Sequence, residues 1–139
     1  MAAISTGAKI PDAPDTGSCK GDLVELVRKG IDLMEGHGNA EGLRIWCGLV
    51  IERERDPELL ESFRERLIRP HQQRYRSVFE RGVENGELNA GADFEATTIM
   101  MVGSIIARIT SEQTVPQDWA ERVVDLVWPG IARVSDTRT

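Results

Sequence analysis

The chain's 139 residues make one domain, and at that length about two thirds of the unfolded surface can be buried without a disulfide or metal staple. Its 17 Lys and Arg are outnumbered by 23 Asp and Glu, for a net charge of −6. The basic residues alternate with acidic ones, as on a solvated helix face, and aromatics are only 5%, so neither the clustered positive charge nor the stacking platform of a nucleic-acid binder is present.

Residues 1–21 hold Pro11 and Pro14 among Gly7, Gly17 and Gly21 and show no hydrophobic period; they read as a leader that leans on a domain filling 22–139. They also lack the apolar core of a signal peptide. The first helix is predicted from Asp22, read as its N-cap, to about Gly36, with Leu23, Leu26, Val27, Ile31 and Met34 at a 3.6-residue period. Gly-His-Gly-Asn then ends it. The second helix covers about Ala40 to Arg55, with Leu43, Trp46, Cys47, Val50 and Ile51 on one arc. Asp56-Pro57 caps and starts a third, which runs to Asn85-Gly86, a helix-stop pair. Pro70 lacks an N–H and predicts a kink within it. A fourth helix spans about Asp93 to Ser111 and a fifth about Pro116 to Val134. Strand-like alternation never persists, so the fold class is all-α: a single helical-bundle domain of about five helices.

The last two predicted helices are apolar over too much of their circumference. The fourth carries no charge from Ala96 to Ala107, and the apolar residues of the fifth, including Trp119, Val123 and Val127, cover roughly 200°. A surface helix needs about half that arc, so a second copy is expected to cover the remainder. Ala96, Gly103 and Ala107 share one side of the fourth helix and permit close approach. These three, with Trp119, Val123 and Val127, form the expected homodimer interface.

Evidence for an enzyme is absent from the motifs. His37 and His71 have no Glu, Asp or Cys three residues before them, Cys19 and Cys47 have no Cys-x-x-Cys partner, and there is no phosphate loop. No catalytic residue, metal ligand or cofactor site is expected. The longest uncharged helical run, 96–107, is far short of the ~20 residues of a membrane span, which with the unpaired cysteines predicts a cytoplasmic chain with reduced thiols. The side chains that could line a small-molecule cavity are Trp46, Phe63, Leu67, Tyr75 and Met101. Ser104 and Arg108, on a polar stripe with Thr97, would orient a ligand with an apolar body and one polar or anionic group. Each of the apolar residues also suits plain core, and Arg108 a structural ion pair.

The stretches PDTGSCKGDL (14–23), RDPELLESFRERLIRP (55–70), ERGVENGEL (80–88) and AERVVDLVWPGIA (120–132), in this order, resemble the C-terminal domain of tetracycline-repressor-like (TetR-like) transcription regulators. The resemblance covers most of the chain. It implies a pocket for a small effector and a dimer in which the last two helices of each copy form a four-helix bundle. In that family an N-terminal helix-turn-helix reads DNA; residues 1–10 cannot hold one, so DNA is expected to be met only through a part missing here. Pro129 departs from an uninterrupted final helix. The rival expectation is a stand-alone helical dimerisation and interaction module without DNA binding.

Overall fold

A computed structural model describes residues 13–35, 41–111 and 114–134. The start of the leader, His37 with its neighbouring glycines, the predicted start of the second helix at Ala40, and 135–139 lie outside these residues. The described elements are α1 (Cys19–Glu35), α2 (Glu41–Glu52), α3 (Pro57–Phe63), α4 (Arg69–Glu84), α5 (Phe94–Ser111) and α6 (Trp119–Ile131). α1 is the central helix and packs against α2, α4, α5 and α6. Its Leu23, Leu26 and Val27 meet Val78 and Tyr75 of α4, Met101 and Ile105 of α5, and Val124 of α6 in one buried cluster. The chain is thus an all-α single domain.

The predicted third helix is α3 and α4 joined by a π turn, Arg64–Ile68. Pro70 has no N–H to offer the carbonyl one turn back, and the Arg69 N–H reaches five residues back to Arg64 instead. The ladder absorbs the proline by widening. α4 stops as its sequence predicts. Glu84 is the last helical residue, Asn85 caps the helix, and Gly86 takes a φ of 78°, which only glycine adopts without steric strain. The Gly86 and Glu87 N–H groups then bond the carbonyls of Val83 (3.1 Å) and Gly82 (2.9 Å), a Schellman closure.

Three of the family-like stretches meet at one end of the bundle. Asp22 does not cap α1. Ser18 does, its Oγ accepting from the Gly21 N–H at 3.0 Å. The Asp22 side chain is buried, with only 3% exposed, and accepts from the Thr16 N–H (2.6 Å), the Thr16 hydroxyl (2.8 Å) and the Arg81 guanidinium of α4 (2.9 Å). Arg81 also donates to the Pro14 carbonyl. The Glu87 carboxylate accepts from the Cys19 N–H at 3.2 Å. Gly82 lets α4 close on this knot: a Cβ there would stand 2.8 Å from the Cys19 sulfur and 2.7 Å from Leu88. Leu88 and Ala132 then form an antiparallel bridge through Asn89 N–H to Ile131 O and Arg133 N–H to Glu87 O, each 2.9 Å.

That bridge shortens the last helix. It was expected over Pro116 to Val134, but Pro116 accepts from the Trp119 N–H in a turn before α6 begins. At the other end, three residues past Pro129, Ala132 swings into extended backbone to pair with Leu88. α2 also differs from its expected inward arc. Leu49 is buried and Trp46 half-buried, whereas Cys47, Val50 and Ile51 are exposed, Ile51 by 74%. α2 lies at the edge of the bundle, against α1 and α3, so it has only one inward direction.

Candidate functional site

The inner face of α4 is the most chemically loaded surface of the bundle. Tyr75 is 1% exposed, and its ring meets the His71 imidazole edge-on at 5.3 Å. One turn on, Phe79 lies 6.3 Å from Tyr75 and stacks on Phe94 of α5 at 4.7 Å. Opposite are Met101 and Ile105 of α5 and Gly30 of α1, where a Cβ would stand 3.0 Å from Ile105 and 3.8 Å from the His71 Nε2. Burial, reinforced by the nearby Arg74 cation, holds the His71 pKa below its usual value, and burial pushes that of Tyr75 up. Both are therefore neutral at pH 7.

The predicted pocket residues do not gather at one place. Tyr75 and Met101 share the core between α1, α4 and α5. Trp46 and Phe63 form a separate edge-on pair at 5.9 Å between α2 and α3, and Leu67, on the π turn, is 37% exposed. The Ser104 hydroxyl donates to the Met101 carbonyl of its own helix at 2.7 Å. Arg108 lies over the Trp119 ring at 5.2 Å, with Arg122 at 5.1 Å from the same ring, a cation–π arrangement that ties α5 to α6. A groove of about 740 Å³ opens between α4 and α5, floored by Phe79 and Phe94 and rimmed by Glu80, Glu84 and Glu95; none of the seven expected residues lines it. Sequence reasoning weighed His71 only as a metal ligand and passed over Arg74. The legible signal was their spacing: 71, 74 and 75 fall on one arc of about 100°. Among the described residues no group of three or more His, Cys, Asp or Glu is placed to hold a metal ion.

The second notable surface is the outer side of α5. Ala96, Gly103 and Ala107 are exposed there, together with Ile99 (59%) and Met100 (62%). α6 adds Leu126, 82% exposed, and the half-buried Trp119 and Val127. Val123 faces the other way, into the chain's own core, because α6 turns Ala120, Val123, Val124 and Ile131 inward. No helix among the described residues is long and apolar enough to cross a membrane.

Comparison with known proteins places these surfaces in context. The family described as "Tetracyclin repressor-like, C-terminal domain" matches residues 13–127. An uncharacterized HTH-type transcriptional regulator of Bacillus subtilis (strain 168), YdeS, is 27% identical over 138 residues, covering 98% of this chain and 67% of its own length. No solved structure matches.

Proposed function

Given that the chain belongs to the tetracycline repressor-like C-terminal domain family, we propose that it senses a small effector and dimerises on behalf of a transcription regulator, with no enzymatic role. DNA reading is assigned to a part outside these residues. Support comes from the name of the Bacillus subtilis relative, which specifies an HTH-type regulator and about a third of whose length lies beyond the match, and from this chain's charge of −6. The setting is cytoplasmic.

The observation that carries the reading is the apolar outer face of α5 and α6. Ile99, Met100 and Leu126 are each more than half exposed, on a face whose small residues Ala96, Gly103 and Ala107 leave α5 approachable. Large apolar side chains left this exposed mark an interaction surface, and a two-fold pairing of α5 and α6 would close it as a four-helix bundle. Such an interface should bury more than ~1,200 Å² in total. Light scattering is expected to report twice the 15.4 kDa chain mass at micromolar concentration. Leu126→Asp or Ile99→Asp is expected to yield folded monomer, whereas Val123→Asp should unfold the chain, since Val123 lies in its own core. A wild-type monomer at that concentration defeats the reading.

A further inference from the structure

Two polar atoms on the inner face of α4 are buried and bonded to nothing. The Tyr75 hydroxyl and the Arg74 Nε have no hydrogen-bond partner among the described residues. Arg74 makes no ion pair with any of them either. Buried polar atoms are nearly always satisfied, so two orphans on adjacent residues mark a place where something else supplies the partner. The charge is one-sided as well. The His71 imidazole beside them is kept neutral by burial and by Arg74, which leaves the guanidinium as an uncompensated cation at this spot.

We propose that Arg74 and Tyr75, flanked by His71, form the polar end of an effector site between α1, α4 and α5, and that the effector is an apolar carboxylic acid bound as its carboxylate. The assignment rests on the effector-sensing reading and deepens it. A guanidinium presents paired N–H donors that match a carboxylate's two oxygens, and the phenol adds a third donor. A cationic ligand would be repelled by Arg74, and a neutral one would leave its charge unanswered. Met101 and Ile105 of α5 and Leu26 and Val27 of α1, each no more than 1% exposed, pack together beside this spot, so the apolar body enters as these side chains part. Gly30 brings no side chain to that point, which lets α1 approach closely: a Cβ there would stand 3.0 Å from Ile105 and 3.8 Å from the His71 Nε2. The polar anchor therefore lies on α4, whereas Arg108, expected from the sequence to serve, is stacked on Trp119.

Tyr75 is the chain's single tyrosine, so tyrosine labelled with carbon-13 at Cζ gives one resonance that reports this hydroxyl. Octanoate and octanamide, equal in length but different in charge, are titrated into the wild-type chain, Arg74→Gln and Tyr75→Phe. Octanoate is expected to move the resonance and to bind about tenfold tighter than octanamide or better. Arg74→Gln should erase that preference. Tyr75→Phe should weaken octanoate while leaving the melting temperature of the ligand-free chain unchanged or higher, because the hydroxyl it removes is unbonded. The assignment is overturned by absence of octanoate binding, by equal affinities, by a preference that survives Arg74→Gln, or by an unmoved resonance. It is equally overturned if Tyr75→Phe melts several degrees lower, since the hydroxyl is then already satisfied. A chain that dimerises by light scattering but ignores octanoate defeats this assignment alone and leaves the regulatory reading standing.

Discussion

Asp22 shows how far one side chain's role can lie from its local signal. An acid near a helix start favours the positive end of the helix dipole, and an N-cap is the natural reading. Its actual partners are Thr16, six residues back, and Arg81, 59 residues on. The carboxylate is buried and the guanidinium is its only charged neighbour among the described ion pairs. Arg81→Met is therefore expected to destabilise the chain by about 3 kcal/mol in urea unfolding, because it strands a buried charge. The two cysteines separate in the same way. Cys47 is exposed, whereas Cys19 is buried, and burial, aided by the Glu87 and Asp22 carboxylates, pushes its thiol up to about 12. Iodoacetamide at pH 8 should modify Cys47 and leave Cys19 until the chain unfolds. The folded pKa of Cys19 is raised, so its contribution to stability is full below the ordinary thiol range. It should be lost as pH rises from about 9 through about 12, visible as an alkaline fall in melting temperature.

At the scale of elements, capping and periodicity were legible wherever the rule is local. Asp56 caps α3 by accepting from the Leu59 N–H at 3.0 Å, and Asp93 caps α5 by accepting from the Ala96 N–H at 2.9 Å. Asn85-Gly86 ends α4 with glycine at positive φ. Gly86→Ala should lower stability by about 1 kcal/mol, the steric penalty of a Cβ in the left-handed region, measurable by urea unfolding. What could not be read locally was how a helix answers a proline or a neighbour. Pro70 was expected to kink one helix, and the chain answers it with a π turn just before it. α6 gave up its last expected turn because Ala132 found a backbone partner in Leu88, 44 residues earlier.

At the scale of the whole molecule, charge and surface set what the chain can meet. Among the described surface pairs, acids and bases neutralise one another in place, as in Arg69 with Glu61 and Glu65, and Lys20 with Asp125. Such exposed pairs contribute little to stability, and the chain as a whole carries a net charge of −6, which disfavours phosphates. In a mobility-shift titration at low salt this chain is expected to bind duplex DNA no better than a generic acidic protein. Sequence-selective binding would overturn the assignment of DNA reading to a part outside these residues. The over-wide apolar arcs of the last two helices resolve into two surfaces. One side of α6 fills the core with Ala120, Val123, Val124 and Ile131, and the outer side leaves Leu126 uncovered.

The sequence by itself determined the helical class, most helix boundaries within a few residues, and the small-residue side of α5, because 3.6-residue periodicity, caps and helix-stop glycines act over distances of one or two turns. The four stretches that resemble the family were readable as text, and their contacts were not. Only the tertiary structure decided that Pro14, Asp22, Arg81 and Glu87 form one knot, that Trp46 and Phe63 pair apart from Tyr75, and that Arg108 stacks on Trp119. It also decided that, among the described residues, buried polar atoms of Arg74 and Tyr75 on α4, and of Trp119 and Glu121 on α6, are left without hydrogen-bond partners. The physical reason is that periodicity says which side of a helix is apolar but not which helix it will face. A side chain's partner depends on the crossing of helices far apart in the chain, and burial of polar atoms is settled only when those helices meet.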